Sequence, residues 1–324
     1  MKILALIHGY PNWKNSGAEW MLHEMFKFLV QQGHEVSVRV PVSELQPYEL
    51  DGVKVDRDMY KETRPEFERA DIVITHLNRQ GYTINLCEYS KKPLVVVHHN
   101  PHGFAPIPHK NLPKSQERWL YCIYNTKHIA ERLNYPNPSM ILHPPVDPAR
   151  VKVKKGTKIT LINCWADKGG DVLKSIAGQL PDKKFLGVRG GYAETMQVIA
   201  NNPNIEYMDN TPEIKRAYAK TRILLMPSIR ESYGRTAVEA MISGIPVIAH
   251  PTAGLKECLG EAGIFCDRND IKAWVTEITK LDDVEKYKEA SAKALSRAKE
   301  IEAERVPSLH KFEEFLVKCI NKEL

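Results

Sequence analysis

The feature that most constrains the fold is a repeated alternation of short, β-branched apolar runs with segments of helical spacing. The run Lys2–Ile7 precedes a helical pattern from Ala18 to Gln32, and the run Glu35–Val40 follows it. The runs lack period-two alternation, which is typical of strands buried on both faces of a parallel sheet. Strand–helix–strand order therefore predicts a doubly wound α/β sheet. Three more runs continue the series: Ala70–Thr75, Pro93–Val97 and Leu120–Tyr124.

Five prolines between positions 136 and 148 interrupt this alternation, and a second series follows them. Proline clusters resist regular structure and often mark domain boundaries. The second series contains four strand-like runs and two helical patterns: Lys158–Ile162, Asp171–Leu180, Lys184–Val188, Ile223–Met226, Thr236–Ser243 and Pro246–Ala249. A chain of 324 residues suits about two domains. We predict Rossmann-like domains at residues 1–150 and 151–305, facing each other across a cleft.

Composition narrows the class of protein. The six cysteines are scattered and form no Cys-x-x-Cys pair, which indicates reduced thiols and argues against a disulfide framework or a zinc ribbon. No apolar run approaches the roughly 20 residues of a membrane span, and the first run is too short for a signal peptide. We therefore expect a cytoplasmic protein. The net charge of +6 is weaker than in dedicated nucleic-acid binders and suits an anionic ligand or surface.

The most specific motif is Glu231-Ser-Tyr-Gly-Arg-Thr-Ala-Val-Glu239, between two strand-like runs. Its glycine and small polar residues lie where a loop enters a helix. Backbone N–H groups and the helix dipole form an anion site there, which suits a phosphate or pyrophosphate. Carboxylates repel phosphate, so Glu231 and Glu239 suit hydroxyl groups on either side of it, as in a sugar and a ribose. The simpler alternative is two surface glutamates beside a helix N-terminus.

With Ala-Met-x-x-Gly-x-Pro-Val after it, the Glu-x7-Glu motif resembles that of the retaining, family-four-type glycosyltransferases (glycosyl transferases group 1) of GT-B fold. Shorter matches extend over nearly the whole chain: Gly17-Ala-Glu19, Gly33-His-Glu-Val36, Pro145-Val-Asp147, Lys168-Gly169 and Arg189-Gly-Gly191. The resemblance implies an enzyme that moves a sugar from a UDP- or GDP-type nucleotide sugar to an acceptor hydroxyl, with retention of anomeric configuration. It also implies that a C-terminal helix at 306–324 packs back on the first domain.

The resemblance assigns the donor site to the second domain. Glu231 would bind donor-sugar hydroxyls, and Glu239 would bind the nucleotide ribose. Backbone amides would face the diphosphate at three successive positions: Ser232, Tyr233 and Gly234. Lys168 would neutralise the diphosphate, whose charge grows as the glycosidic bond breaks. A fixed cation replaces a metal ion in this role, so the donor is a co-substrate and we expect no metal or other cofactor. We interpret Asp56-Arg-Asp58 as a solvated, loop-like stretch rather than a metal signature.

One position departs from the family pattern. The family carries an arginine five residues before the lysine, where this chain has Asn163. Arg189, in the turn with Gly190, or Arg235, beside Gly234, is our hypothesis for the missing positive charge. A turn residue with a solvated head group is the alternative for Arg189.

The loop Gly9–Gly17 follows the first strand at the carboxyl edge of the sheet, where ligands bind in such folds. Gly17 would let the backbone approach a ligand closely. The resemblance implies that this loop borders the diphosphate and the acceptor. Trp13 and Lys14 are therefore candidate acceptor contacts, with a mobile surface loop as the alternative.

Three histidines in five positions follow another strand at the same edge: His98, His99 and His102. A metal site is disfavoured because no acidic residue lies close in sequence and adjacent histidines after a strand diverge. The family carries a histidine here near the reacting sugar carbon. Either His98 or His99 matches it, and the spacing from Pro93 favours His99. A core or capping histidine is the alternative.

Two other functions compete with the transferase: a sugar-nucleotide epimerase of the same fold, and a non-catalytic sugar- or nucleotide-binding module. The acceptor classes left open are a glycan, a lipid-linked glycan, a small molecule, a protein and a modified DNA base. The excess of basic residues also suits peripheral association with an anionic surface such as the inner membrane face.

Overall fold

The computed structural model describes residues 1–100, 119–191 and 197–324 of the chain. The chain divides into two compact units. The first unit comprises Met1–Lys14, Ala18–Pro145 and Arg305–Leu324. The second unit comprises Asn15–Gly17 and Val146–Glu304. Each unit has its own parallel sheet, so the predicted pair of doubly wound α/β domains is confirmed.

The first unit is built on an eight-stranded sheet of order β3-β4-β2-β1-β5-β6-β7-β8, in which only β3 and β4 pair antiparallel. Its strands are β1 (Lys2–Leu6), β2 (Glu35–Val40), β3 (Tyr48–Leu50), β4 (Val53–Arg57), β5 (Ile72–His76), β6 (Leu94–His98), β7 (Leu120–Tyr124) and β8 (Ser139–Ile141). Its connecting helices are α1 (Gly17–Gln31), α2 (Tyr60–Arg69), α3 (Gln80–Ser90) and α4 (Lys127–Leu133). The chain runs outward from β1 in both directions, so the strand order reverses between β1 and β5.

The second unit is built on a six-stranded, all-parallel sheet of order β11-β10-β9-β12-β13-β14. Its strands are β9 (Lys158–Ile162), β10 (Phe185–Val188), β11 (Ile205–Met208), β12 (Thr221–Met226), β13 (Val247–Ala249) and β14 (Gly263–Phe265). Its helices are α5 (Pro148–Val151), α6 (Gly170–Gln179), α7 (Lys215–Tyr218), α8 (Arg235–Ile242), α9 (Ala253–Leu259) and α10 (Ile271–Lys280). The strand order reverses between β9 and β12, and open α/β sheets bind ligands at the carboxyl ends of strands at such a point.

A single helix, α11 (Val284–Asn321), contains the segment predicted at 306–324 except for its last three residues, and it continues through Pro307. Its last turns place Leu309, Phe312 and Leu316 in the core of the first unit. The spacing of these residues gives the helix one apolar face, which explains why it is buried along that face only. Among the helices of the described residues, none is both long and apolar enough to cross a membrane.

The interpretation of Asp56-Arg-Asp58 as a solvated loop is wrong. Asp56 lies in β4, and its carboxylate accepts a hydrogen bond of 2.8 Å from Nη1 of Arg39. Asp58 accepts a bond of 2.9 Å from Oγ1 of Thr63 and forms an ion pair with Arg79. Both carboxylates therefore have internal partners. Pairing of β4 with β2 places Arg39 beside Asp56, whereas the partners of Asp58 are Thr63 and Arg79.

Candidate functional site

The switch point of the second unit brings together two residues that are 63 positions apart in sequence. Lys168 ends a 3-10 turn, Ala166–Lys168, that follows β9. Glu231 lies in the loop between β12 and α8. The Lys168 Nζ atom is 2.5 Å from Oε2 of Glu231, and their side chains are 30% and 17% exposed. The predicted diphosphate cation and the predicted sugar-binding carboxylate thus form one partly buried ion pair.

Close packing at the base of this turn explains the sequence Lys-Gly-Gly. Gly169 has a φ of +103°, and a Cβ atom there would lie 2.1 Å from Cγ of Pro227. Gly170 begins α6, and a Cβ atom there would lie 2.2 Å from the carbonyl oxygen of Cys164. A side chain at Gly169 would push the Lys168 turn away from the end of β12, and a side chain at Gly170 would push α6 away from the backbone that follows β9.

Glu239 lies inside α8, where its carboxylate has two partners from its own unit. Nε of Arg235 donates to Oε1 at 2.9 Å, and the hydroxyl of Tyr218 donates to Oε2 at 2.7 Å. The side chains of Arg235 and Glu239 are both 7% exposed. Burial and the Glu239 carboxylate raise the pKa of Tyr218 well above its usual value, so its hydroxyl stays protonated and donates. Sequence reasoning missed Tyr218, which no local motif marks.

The loop from Ser232 to Gly234 leads into the N-terminus of α8. Gly234 has a φ of +100°, a left-handed conformation that favours glycine. The Tyr233 side chain is buried in the core of the second unit, where burial raises its pKa. Tyr233 can therefore offer only its backbone to a ligand. The carbonyl oxygen of Ser232 packs against Gly254, where a Cβ atom would lie 2.1 Å from it.

The position of the missing family arginine is a tight turn. Asn163 has a φ of +74°, which asparagine tolerates better than arginine does. Its Oδ1 atom accepts a hydrogen bond of 3.2 Å from the backbone N–H of Trp165. The Asn163 side chain also occupies the space beside Gly190, where a Cβ atom would lie 2.4 Å from Oδ1. Asn163 is thus a turn residue, and a longer side chain would not fit this arrangement.

The two arginines suggested as replacements differ in their surroundings. Arg189 follows β10, is 42% exposed, and has its Nη1 atom 3.5 Å from Oδ1 of Asp209. Arg235 is buried and directed at Glu239, as described above. Arg189 therefore has the more accessible charge, whereas the charge of Arg235 is compensated inside the helix.

The carboxyl edge of the first unit carries a cluster of buried histidines. The His98 ring stacks on Tyr124, with centroids 5.2 Å apart, and the hydrogen bond between His99 Nε2 and His76 Nδ1 measures 3.0 Å. Burial lowers the pKa of His98 to about 3 and that of His99 to about 4. It lowers the pKa of His76 well below the usual value, and the nearby His99 adds to this effect. All three rings are therefore neutral at neutral pH.

The adjacent histidines diverge, as expected, because successive side chains after a strand point to opposite faces. His76 was missed from the sequence, although its position at the end of β5, beside β6, was the available signal. His102 lies outside the described residues. Within the parts of the chain that the structure describes, no group of three or more His, Cys, Asp or Glu residues is arranged to hold a metal ion.

The loop after β1 turns back on itself before α1. The backbone N–H of Lys14 donates to the carbonyl oxygen of Tyr10 at 2.8 Å, and the Lys14 side chain packs against Gly9. Burial lowers the pKa of Lys14, and the Glu19 carboxylate opposes this shift. Trp13 is 49% exposed. Gly17 begins α1, and a Cβ atom there would meet nothing within 4 Å, so packing does not require glycine.

Comparisons with known proteins agree with this architecture. Residues 165–283 match the family model described as glycosyl transferases group 1. An O-antigen chain mannosyltransferase B of Escherichia coli is 32% identical over 99 residues, which are 30% of this chain and 26% of that protein. The curated relatives are thus matched over about a quarter of their own length.

Similarity to solved structures covers the whole chain. HepE of Anabaena, solved in complex with UDP and glucose, superposes with a TM-score of 0.77 and 16% identity, covering 98% of this chain and 99% of that one. A glycosyltransferase of Rickettsia africae superposes with a TM-score of 0.77 and 17% identity, covering both chains completely. The two sheets of this protein therefore form a GT-B fold.

Proposed function

We propose, from the premise that residues 165–283 are a glycosyl transferases group 1 domain within a GT-B fold, that this protein is a glycosyltransferase. It transfers a sugar from a nucleoside-diphosphate sugar to an acceptor hydroxyl. The observation that carries the proposal is the contact between Lys168 and Glu231 at the switch point of the second sheet. A cation and a carboxylate side by side suit a ligand that joins an anionic diphosphate to a hydroxyl-rich sugar.

Lys168 acts on the leaving group. When the bond between the anomeric carbon and the phosphate oxygen breaks, negative charge develops on the nucleoside diphosphate. An ammonium group fixed at that point stabilises the charge without reorganising. The charge needed by the leaving group thus comes from the chain itself, and the proposed reaction uses no metal ion.

Glu231 acts on the transferred sugar by accepting hydrogen bonds from its hydroxyl groups, which orients the anomeric carbon. Glu239 acts on the ribose. Arg235 and Tyr218 each occupy one of its carboxylate oxygens, and a carboxylate has about four acceptor sites, so acceptor capacity for ribose hydroxyls is left. The buried Arg235–Glu239 pair also holds the carboxylate in one orientation, so its remaining acceptor sites have a fixed direction.

We assign the acceptor to the first unit, where His99 has the neutral ring suited to an uncharged hydroxyl. The proposed outcome is retention. The acceptor oxygen bonds to the anomeric carbon on the face that the phosphate oxygen leaves, and the acceptor proton passes to that phosphate oxygen. Trp13 and Lys14, in the loop after β1, are the proposed acceptor contacts.

A panel of nucleotide sugars tests the proposal. UDP-glucose, other UDP-sugars, GDP-mannose and ADP-glucose are screened by thermal shift, because a ligand that binds only the folded state raises Tm. UDP is the first nucleotide to test, since HepE was solved with UDP and glucose. A donor found this way is then assayed for transfer to pooled glycan, lipid and small-molecule acceptors.

The decisive variant is Glu231→Ala, which we expect to lower transfer on the order of a thousandfold while the protein stays folded. The matched control is Glu206→Ala, because Glu206 also pairs with lysines in the second unit but lies in β11, outside the site. Full activity of Glu231→Ala, or an equal loss in both variants, would refute the assignment.

A further inference from the structure

Arg268 lies after β14, outside every sequence motif described above, yet its buried guanidinium contacts two other segments of the second unit. It donates to the carbonyl oxygen of Pro227, to that of Ala166 at 2.7 Å, and to Oδ1 of Asp171 at 2.6 Å. Its backbone N–H donates to Nδ1 of His250 at 3.1 Å. One residue thus joins chain segments that follow four strands of the sheet.

These contacts are the first of three successive links between the turn after β9 (166–168) and the loop after β12 (227–231). We call the three links a ladder and each link a rung. Arg268 bridges Ala166 and Pro227. The second rung lies one residue further along the turn and two residues further along the loop, where the backbone N–H of Ile229 donates to the carbonyl oxygen of Asp167 at 2.9 Å. The Lys168–Glu231 ion pair is the third rung. Successive positions on one segment therefore pair with alternate positions on the other, and the proposed site residues are at the end of the ladder.

We propose that Arg268 is a positioning residue that holds Lys168 and Glu231 in register through this ladder. The inference rests on the function proposed above and deepens it. The planar guanidinium presents several N–H donors in a fixed geometry, which lets it serve two carbonyls and a carboxylate at once. Asp171, in the first turn of α6, balances its charge. The positive charge of Arg268 is thus directed at the loops and not at a ligand.

Loss of this rung removes the Arg268 donor from the carbonyl oxygens of Pro227 and Ala166, of which that of Ala166 keeps the backbone N–H of Gly169 as a donor, and it frees the two loops to separate. Reacting groups depend on placement so strongly that a shift of about 1 Å costs on the order of a hundredfold in rate. We therefore expect Arg268→Gln to alter the site while leaving the sheet intact. Arg268→Lys keeps the positive charge but replaces the planar guanidinium by a single ammonium nitrogen. We therefore expect this variant to alter the site as Arg268→Gln does.

Hydrogen exchange tests the ladder without any ligand. In Arg268→Gln, the amide of Ile229 and the peptides covering 165–169 and 227–231 should exchange at least tenfold faster than in the wild type. The matched control is Arg297→Gln, because Arg297 also donates to two backbone carbonyls, those of Cys258 at 2.9 Å and Glu257 at 3.0 Å. Unchanged exchange in Arg268→Gln, or the same acceleration at these peptides in Arg297→Gln, would overturn the proposal.

Ligand binding then tests the link to Lys168. UDP, GDP and ADP are titrated by calorimetry into the wild type, Arg268→Gln, Arg268→Lys, Lys168→Met and the double variant. We expect Arg268→Gln and Arg268→Lys to weaken binding about tenfold, and Arg268→Gln to add less than twofold in the Lys168→Met background. A tenfold loss that persists in that background would show that Arg268 acts independently of Lys168 and would overturn the proposal. Wild-type affinity in Arg268→Lys would show that a positive charge at this position is sufficient without the planar set of donors, which would overturn it as well.

The two experiments separate the positioning role from the proposed function. If none of the three nucleotides binds the wild type, the proposed function fails for these donors, and hydrogen exchange alone decides the ladder. If the nucleotides bind and the exchange pattern is unchanged in Arg268→Gln, the proposed function stands and the positioning role fails.

Discussion

The carboxyl edges of the two parallel sheets are built alike, but they differ in the charge of their buried ionisable side chains. At the carboxyl ends of β5 and β6 in the first unit, the buried ionisable side chains are neutral imidazoles, because burial lowers their pKa values far below neutral pH. In the second unit the buried groups stay charged and are paired, as in Arg235–Glu239 and Arg268–Asp171. One parallel-sheet design thus accommodates buried polar groups in two ways, by loss of charge or by compensation. In the proposed function, the first arrangement would serve an uncharged acceptor and the second a diphosphate.

Acidification should produce the largest difference between the two edges. His98 and His99 have folded-state pKa values of about 3 and about 4, below the ordinary value of 6.5. Below about pH 6.5 the unfolded chain binds protons that the folded chain does not, so stability falls as the pH falls. From pH 7 to pH 5 these two residues together should cost about 4 kcal/mol. Urea unfolding, followed by circular dichroism at both pH values, measures this loss.

The variant His98→Phe provides the control, because phenylalanine can keep the stacking on Tyr124 but cannot bind a proton. The variant should lose about 2 kcal/mol less stability between pH 7 and pH 5 than the wild type does, and its remaining loss comes from His99 and His76, which still resist protonation in the folded chain. Hydrogen exchange at pH 5 should show the strands of the first unit opening before those of the second. Earlier opening of the second unit would contradict the contrast drawn between the two edges.

The buried pair in α8 should give the next largest effect. Arg235→Ala leaves the Glu239 carboxylate buried without its cation, which typically costs about 3–5 kcal/mol. Tyr218→Phe removes one hydrogen bond to the same carboxylate and should cost about 1–3 kcal/mol. Urea unfolding at pH 7 measures both. Lys280→Ala, which breaks an exposed pair with Glu277, should change stability little. A loss that small in Arg235→Ala would show that the charge in α8 is not effectively buried.

The pair at the proposed donor site should respond differently to loss of each partner. Lys168→Met removes the cation for the diphosphate and should weaken UDP or GDP binding by about 10–100-fold. Glu231→Gln removes the carboxylate that competes for Lys168, and UDP carries no sugar for Glu231 to bind. This second variant should therefore bind UDP about threefold more tightly. Calorimetry on the two variants tests the difference in sign, and equal weakening in both would show that the ion pair has only a structural role.

The sequence was sufficient to predict those strands whose apolar runs are local and continuous. The bounds of β2, β7 and β9 coincide with the predicted runs. The short strands β3, β4, β8, β11 and β14 escaped prediction because three to five residues at or near a sheet edge need few apolar positions. Pairing with a neighbouring strand, and not local propensity, makes them strands.

The same distinction applies to the site. Lys168, Glu231 and Glu239 belong to short motifs and were predicted from them. His76, Tyr218 and Arg268 belong to no motif. Their side chains contact His99, Glu239 and Pro227, which are 23, 21 and 41 positions away. The sequence shows that Asn163 stands where the family carries an arginine. It does not show the reason, because the positive φ of Asn163 and its packing against Gly190 exist only in the folded chain.

Substitution of Arg189 should change stability less than that of Arg235 and UDP binding less than that of Lys168, because the Arg189 charge is exposed whereas their ion pairs are buried or partly buried. Its side chain is 42% exposed, so its pair with Asp209 should contribute less than about 1 kcal/mol to stability. If Arg189 supplies the charge missing at Asn163, Arg189→Ala should weaken UDP binding about threefold at low salt, and less in high salt, because salt screens exposed charges. Asp209→Ala, which releases Arg189, should strengthen the binding slightly. If Arg189→Ala binds UDP as the wild type does at low salt, Arg189 does not supply the missing charge, and Lys168 is the cation that remains of the three proposed, since Arg235 is committed to Glu239.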